Sequence, residues 1–196
     1  CPGIFGHVAT EEGVGIGYDP KAAKKYLADA GYPKGKGLPE ITLMFNPSET
    51  NRKIAQAIQK MWKKVLRVEV NLTNQELKVY LKTLSKDAPQ IFCLSKCADY
   101  PDANNWLYEV FHSTNGQNRI KWHNAEFDRI VEKAVLEFNP AKRLELYKQA
   151  EQILCGEKAA VAPLYYQTIV NLTKNYLKRT FAPMGGEHIK DWRIKK

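Results

Sequence analysis

Histidine and acidic side chains are the groups in this sequence that could do catalytic chemistry, and their spacing argues against it. Asp99 and Asp102 lie close together, but no general base or nucleophile is near them in sequence. The chain also lacks a Gly-x-Ser-x-Gly elbow and a Walker-type phosphate loop. The histidines are widely spaced without an obvious Ser or Cys partner: His7, His112, His123 and His188. We therefore expect binding rather than catalysis, with no catalytic residue.

The cysteines are too few and too scattered for a disulfide scaffold: Cys1, Cys93, Cys97 and Cys155. Cys93 and Cys97 fall in a predicted strand, where residues four apart are separated by roughly 13 Å. That distance excludes a direct disulfide and is too long for both thiolates to bind one metal ion. We expect no metal site and no cofactor.

The charge of the chain favours an anionic partner. Thirty Lys and Arg against 21 Asp and Glu give a net charge of +9. Between Arg52 and Arg67 six basic residues occur without an acid, alternating with an apolar stripe that predicts a solvated helix face. The alternative function for this segment is a nucleic-acid-binding module, with phosphates bound by Lys60, Lys63, Lys64 and Arg67.

The first half of the chain alternates between strand and helix signals. Asp19 is a good N-cap for a helix that begins at Pro20 and ends before Gly31, and Ser48 or Glu49 opens the next helix. Leu77 to Leu84 has the spacing of a third helix. Strands are predicted at 41–45, 68–72 and 90–94, so this half should form a parallel sheet with crossover helices.

The second half reads as mainly helical. Asp102 should cap a helix that runs to Phe111, and further helices are predicted at about 125–138 and 140–155. Pro163 to Val170 is rich in Tyr and β-branched residues and predicts a strand. No regular period is found after Tyr176.

One segment carries a family resemblance. Residues 97–107, CADYPDANNWL, are similar to the Cys-Ala-Asp-Tyr element of the bacterial family 5 extracellular solute-binding proteins, which bind oligopeptides and dipeptides for ABC importers. Residues 18–33 resemble the "YDPxKAKxLLAEAGYP" segment of the same family. Further similar segments follow in order at 57–64, 74–76, 140–147 and 162–166, so the resemblance covers nearly the whole chain.

The resemblance implies an α/β fold, namely the C-terminal lobe of a type II periplasmic-binding-protein-like fold with a mixed sheet flanked by helices. Residues 1–175 would form this ligand-binding lobe, incomplete on its N-terminal side. Residues 176–196 would be a tail that returns to the missing first lobe.

The resemblance also implies a binding site. Asp99 matches the residue that binds the protonated amino terminus of the ligand in peptide-binding relatives, and the ligand-binding residues would be Ser95, Lys96, Cys97, Asp99 and Tyr100. Family members usually carry Gly-Trp where this chain has Ser95 and Lys96, which leaves open a peptide, a sugar or a metal chelate as ligand. In the alternative interpretation, Asp99 shapes the turn before Pro101. The family's cysteine at the position of Cys97 often pairs with one further upstream, and a bridge between Cys1 and Cys155 stays open.

The implied protein is not an enzyme. It would bind a solute outside the cytoplasm, enclose it between two lobes and hand it to an ABC permease in the membrane, with domain closure as the signal. The expected partners are a peptide, that permease and the missing N-terminal lobe, and no nucleic acid. The expected location is periplasmic or extracellular, with a lipoprotein anchor of the full-length protein left open.

Overall fold

The computed structural model describes residues 4–6, 15–168, 170–180 and 188–195. The chain divides into two compact units. Residues 17–96 and 119–121 form what we call the sheet unit. Residues up to 16, 97–118 and 122 onward form the helical unit.

The sheet unit is built on three parallel strands, as the sequence predicts. Its elements are α1 (Pro20–Asp29), β1 (Ile41–Phe45), α2 (Glu49–Leu66), β2 (Val70–Asn74), α3 (Leu77–Lys86) and β3 (Ile91–Phe92). The strand order is β2-β1-β3, so α2 and α3 are the crossover helices. A one-turn 3₁₀ helix, Pro33–Gly35, follows α1.

The helix starts lie where the sequence places them. Asp19 Oδ1 accepts hydrogen bonds from the amides of Lys21 and Ala22 at 2.9 and 3.0 Å. Ser48 Oγ accepts from the amide of Asn51 at 3.0 Å. These side chains satisfy amides that have no partner within the helix, which is why both predicted N-caps are confirmed.

Two strand predictions were wrong at their ends. β2 begins at Val70 rather than Val68, because Arg67 takes a left-handed conformation (φ +61°) and the Val68 amide donates to Trp62 O to complete the end of α2. β3 stops at Phe92, although the Cys93 amide still donates to Met44 O at 2.9 Å. The strand that was expected to hold Cys93 and Cys97 on one face therefore does not reach Cys97.

The sheet is buried on both faces because β1 alternates its side chains. On the α2 side, Leu43 packs with Phe45, Val70 and Ala55, and on the α3 side Met44 packs with Tyr80 and Leu84. The Tyr80 hydroxyl donates to Cys93 O at 2.5 Å, which ties α3 to the end of β3. Burial raises the pKa of Tyr80, so the phenol stays protonated.

The helical unit contains α4 (Asn104–Phe111), α5 (Ala125–Leu136) and α6 (Pro140–Glu151), and α6 continues as a π-helical turn, Gln152–Glu157. These elements share one core: Ala103, Leu107, Phe127, Ile130, Val131, Ala134, Tyr147, Ala150, Ile153 and Leu154. α4 ends at the buried His112, whose Nδ1 accepts from the amides of Thr114 and Asn115 at 3.2 and 3.1 Å. This histidine is therefore a packed, hydrogen-bonded residue.

The C-terminal part differs most from the sequence expectation. The strand predicted at 163–170 was wrong: residues 163–168 and 170 are exposed and pair with no strand in the described part of the chain. β-branched and aromatic residues favour a strand only where a neighbouring strand takes up the backbone hydrogen bonds. The tail instead forms a short antiparallel pair, β4 (Leu177–Lys178) and β5 (Arg193–Ile194). Among the described residues, the strands form a parallel sheet in the sheet unit and an antiparallel pair in the tail, and they do not join into one mixed sheet.

Across the described residues, the helices are too short or too polar to cross a lipid bilayer.

Candidate ligand-binding site

The predicted site residues lie where the chain passes from one unit to the other. Ser95 is exposed and Lys96 half-buried, and both belong to the sheet unit. Cys97 and Asp99 are exposed and Tyr100 is half-buried, and these three belong to the helical unit. Residues 97–103, which we call the Asp99 turn, belong to the helical unit and lead into α4.

Asn105, in the first turn of α4, binds the Asp99 turn through its side chain. Its side chain is fully buried, and its Oδ1 accepts from the Asp99 amide at 3.0 Å. Its Nδ2 donates to Asp99 Oδ2 at 3.3 Å and to Glu109 Oε2 at 2.8 Å. One amide side chain therefore restrains both the backbone and the carboxylate of Asp99.

Tyr100 is held by α4 as well. Its hydroxyl donates to Glu109 Oε1 at 2.6 Å and accepts from Asn104 Nδ2 at 2.7 Å. Partial burial and the Glu109 carboxylate raise the pKa of Tyr100, so its hydroxyl remains a donor at neutral pH. The two residues that follow Ala98 are thus fixed from the same helix.

Asp102 anchors the turn to α6. Its two carboxylate oxygens accept from Arg143 Nη1 and Nη2 at 2.8 and 3.1 Å, a bidentate pair. Asp102 Oδ1 also accepts from the Tyr147 hydroxyl and the Asn104 amide, both at 2.9 Å. The predicted cap is displaced by one residue, because Ala103 occupies the N-cap position of α4 while the Asp102 side chain binds the first amide of the helix. Only 17% of the Asp102 side chain and 25% of the Arg143 side chain are exposed.

The segment around Phe5 supports the other side of the turn. The Phe5 amide donates to Pro101 O at 3.3 Å, and the Ala103 amide donates to Phe5 O at 2.9 Å. The next residue, Gly6, has φ +84°, and a Cβ there would lie 2.6 Å from both Ala103 Cβ and Tyr147 Cδ2. Only glycine fits this close approach.

Three carboxylates lie in the Asp99 turn or in α4 beside it, and each of them accepts hydrogen bonds. Asp102 is paired with a guanidinium, and Glu109 accepts from Asn105 and Tyr100. Asp99 is exposed on a turn whose conformation is set by its neighbours. A carboxylate held in this way suits a charge-assisted hydrogen bond from a cationic group such as an ammonium.

Sequence reasoning missed the residues that support Asp99. Asn105 binds Asp99 from α4, and Glu109, one turn further along that helix, binds Asn105 and Tyr100. Arg143 and Tyr147 bind Asp102 from α6. A local signal existed for Asn105 alone, because asparagine is a poor helix former and two of them open α4. The contacts from α6 depend on the tertiary structure, so the spacing of residues near Asp102 could not predict them.

The thiols described by the structure, those of Cys93, Cys97 and Cys155, are free. Cys1, and with it the open question of a Cys1–Cys155 bridge, lies outside the described residues. In the described part of the chain, no three His, Cys, Asp or Glu side chains come together as a metal site.

Comparison with known proteins gives consistent matches. The profile of the bacterial extracellular solute-binding proteins, family 5 middle region, matches residues 2–118. The oligopeptide-binding protein OppA of Bacillus subtilis is 37% identical over 191 residues, which is 95% of this chain and 35% of that protein.

Two solved structures agree with this. The murein tripeptide binding protein MppA of Escherichia coli has a TM-score of 0.73 at 34% identity, over 88% of this chain and 32% of that one. OppA of Haemophilus influenzae, in complex with the peptide RPPGFSPFR, has a TM-score of 0.72 at 28% identity, over 90% of this chain and 35% of that one. The chain thus spans about a third of the length of these relatives. The predicted α/β fold of periplasmic binding proteins is confirmed.

Proposed function

Because the chain belongs to the bacterial extracellular solute-binding proteins of family 5, as its sequence predicts, we propose that it forms one wall of a peptide-binding site that serves an ABC importer. The ligand is an oligopeptide or dipeptide held outside the cytoplasm and delivered to a membrane permease. The chain acts by binding and closure, not by catalysis.

The observation that carries this proposal is the exposed, restrained carboxylate of Asp99. A protonated peptide amino terminus donates charge-assisted hydrogen bonds to such a group, each worth about 1.5–3 kcal/mol. Because Asn105 and Tyr100 are themselves held by Glu109, little side-chain freedom has to be lost when the ligand binds. The alternative, in which Asp99 only shapes the turn, predicts no dependence on the ligand's amino terminus.

The peptide backbone would be bound by a strand edge, which gives affinity without side-chain preference. Ser95, Lys96, Cys97 and Tyr100 flank Asp99 in sequence and are proposed to line the same ligand. Lys96 stands where the family usually has tryptophan, three residues before Asp99 in sequence, so we propose that this position differs from the family's in charge.

The rest of the site belongs to a first lobe. We propose that residues 1–175 are the C-terminal lobe, that the tail 176–196 returns to the N-terminal lobe, and that the ligand is enclosed between the two. Exposed apolar side chains just before the tail and at its first residue are suited to contact the first lobe: Leu164, Tyr165, Tyr166, Val170, Leu172 and Tyr176. The full-length protein would be periplasmic or extracellular, with or without a lipid anchor.

The test is Asp99→Asn in the two-lobed protein that contains this chain. Asparagine keeps the size and turn-forming ability of aspartate but removes the charge. Calorimetry should show at least a tenfold loss of affinity, about 1.4 kcal/mol, for peptides with a free amino terminus. Glu126→Gln, which removes an exposed carboxylate from α5, is the matched control and should leave affinity unchanged.

N-acetylated peptides provide the second arm of this test. They should bind weakly to the unmutated protein and should be insensitive to Asp99→Asn. Equal affinity for acetylated and free peptides would refute the role of Asp99. The isolated 196-residue chain should bind the same peptides much more weakly, because one wall leaves half of the ligand's backbone groups in water; submicromolar binding there would contradict the two-lobed arrangement.

A further inference from the structure

The net positive charge of the chain lies in one unit. Residues 17–96 and 119–121, the sheet unit, contain 17 Lys and Arg against seven Asp and Glu, a net charge of +10. The rest of the chain contains 13 Lys and Arg against 14 Asp and Glu, a net charge of −1. An anionic partner would therefore be attracted to the sheet unit alone.

Helix α2 concentrates that charge on one face. Five exposed cations lie within about a third of its circumference and along about 18 Å of its axis, and a sixth, Arg67, follows at its C-terminal end. We call them the basic stripe: Arg52, Lys53, Lys60, Lys63, Lys64 and Arg67. The opposite face of α2 packs into the core through Ala55, Ile58 and Trp62. The stripe therefore points away from the core of its own unit.

Carboxylates compensate the basic stripe only in part. Lys53 pairs with Glu49 at 2.6 Å and Lys63 with Glu69 at 2.9 Å, but these side chains are about 70% exposed and such pairs are weak. Among the residues that the structure describes, Arg52, Lys60, Lys64 and Arg67 have no salt-bridge partner.

Neighbouring segments extend the stripe. Gly35 packs against the end of α2, since a Cβ there would lie 2.7 Å from Arg67 O, and this brings the exposed Lys34 and Lys36 beside Arg67. Helix α1 contacts α2 and carries further exposed cations: Lys21, Lys24 and Lys25. The result is a broad basic surface on one unit.

We propose that the basic stripe docks the protein on a membrane surface rich in anionic lipid. An extended row of cations on a convex helix can face a planar array of headgroups, and each Lys or Arg within a Debye length of such a surface strengthens binding about fivefold. The choice of a membrane over a nucleic acid rests on the proposed function, because a protein that delivers its ligand to a permease works at the bilayer.

The experiment measures binding of the full chain to vesicles by co-sedimentation. Phosphatidylcholine vesicles are compared with vesicles that also contain phosphatidylglycerol, at low and high salt. The variant Arg52→Gln/Lys60→Gln/Lys64→Gln removes three charges from the stripe, and Lys133→Gln/Lys142→Gln/Lys158→Gln removes three exposed charges from the helical unit as a control. We expect binding only to the anionic vesicles, loss of binding at high salt, and a loss of about a hundredfold in the stripe variant but not in the control.

Several outcomes would overturn the proposal. Equal binding to both kinds of vesicle would show that the attraction to the membrane is not electrostatic. Equal losses of vesicle affinity in the two variants would show that binding depends on net charge and not on the basic stripe. Binding to random DNA without binding to anionic vesicles would identify the partner as a nucleic acid. Peptide affinity measured on the same stripe variant in the two-lobed protein should be unchanged, so a failure of the peptide-binding function is distinguishable from a failure of docking.

Discussion

Replacement of Asp102 by alanine should strongly destabilise the helical unit. The Asp102 side chain accepts four hydrogen bonds, two from Arg143, one from the Tyr147 hydroxyl and one from the Asn104 amide. Removal of one partner of a largely buried ion pair costs about 3–5 kcal/mol, because the other charge is left uncompensated. Since 25% of the Arg143 side chain still reaches solvent, we expect a loss near 3 kcal/mol.

Urea unfolding of the chain, followed by circular dichroism, measures this change. The midpoint should fall while the slope of the unfolding free energy against urea stays the same. Glu49→Gln is the matched control, because it breaks a 2.6 Å ion pair whose side chains are 71% exposed and should cost no more than about 0.5 kcal/mol.

A double-mutant cycle with Arg143→Ala tests the proposed partner directly. If Asp102 and Arg143 stabilise the fold through each other, the double variant should be more stable than the sum of the single losses predicts, by about 1–3 kcal/mol. Additive losses, or a loss below about 1 kcal/mol for Asp102→Ala, would refute the reasoning that this pair anchors the turn.

Three further expectations follow from other parts of the chain. Gly6→Ala should cost about 1–3 kcal/mol more in urea unfolding than Gly31→Ala, because both glycines have positive φ but only Gly6 has atoms within 4 Å of the new Cβ. Burial raises the pKa of Glu151 to about 7, so the folded state holds a proton that the unfolded state releases; stability should decrease as pH rises from about 4.5 to 7, and Glu151→Gln should flatten that profile. Iodoacetamide should modify the exposed Cys97 well before Cys155, whose pKa is raised to about 11 by burial, and peptide mapping by mass spectrometry would detect the reverse order.

Features with local causes could be predicted from the sequence. The N-caps Asp19 and Ser48 bind amides no more than three residues away, so the helix starts can be predicted from local sequence. The alternation in β1 likewise reflects burial on two faces of one strand. β2 begins later than predicted because the Val68 amide donates to Trp62 O at the end of α2. Such a boundary depends on packing and cannot be derived from the spacing of apolar residues.

Features with distant causes could not be predicted in this way. Residues 163–168 have strand-like composition, but only a partner strand would make them one. At the candidate site, the sequence indicated Asp99 through a family resemblance, whereas the buried Asn105 and the Arg143–Asp102 pair emerge only when helices have packed. The contacts that hold the Asp99 turn therefore could not be predicted from local sequence.

The anchoring of the Asp99 turn also dictates when it can be completed during synthesis. Arg143 and Tyr147 are made 41 and 45 residues after Asp102. At about 5–20 residues per second, the ribosome needs roughly 2–9 s to add them. During that interval the sheet unit up to residue 96 already has all its strands, while the Asp99 turn lacks its bond to α6. A nascent chain halted before Arg143 should therefore contain a formed sheet and an Asp99 turn that lacks its bonds to α6.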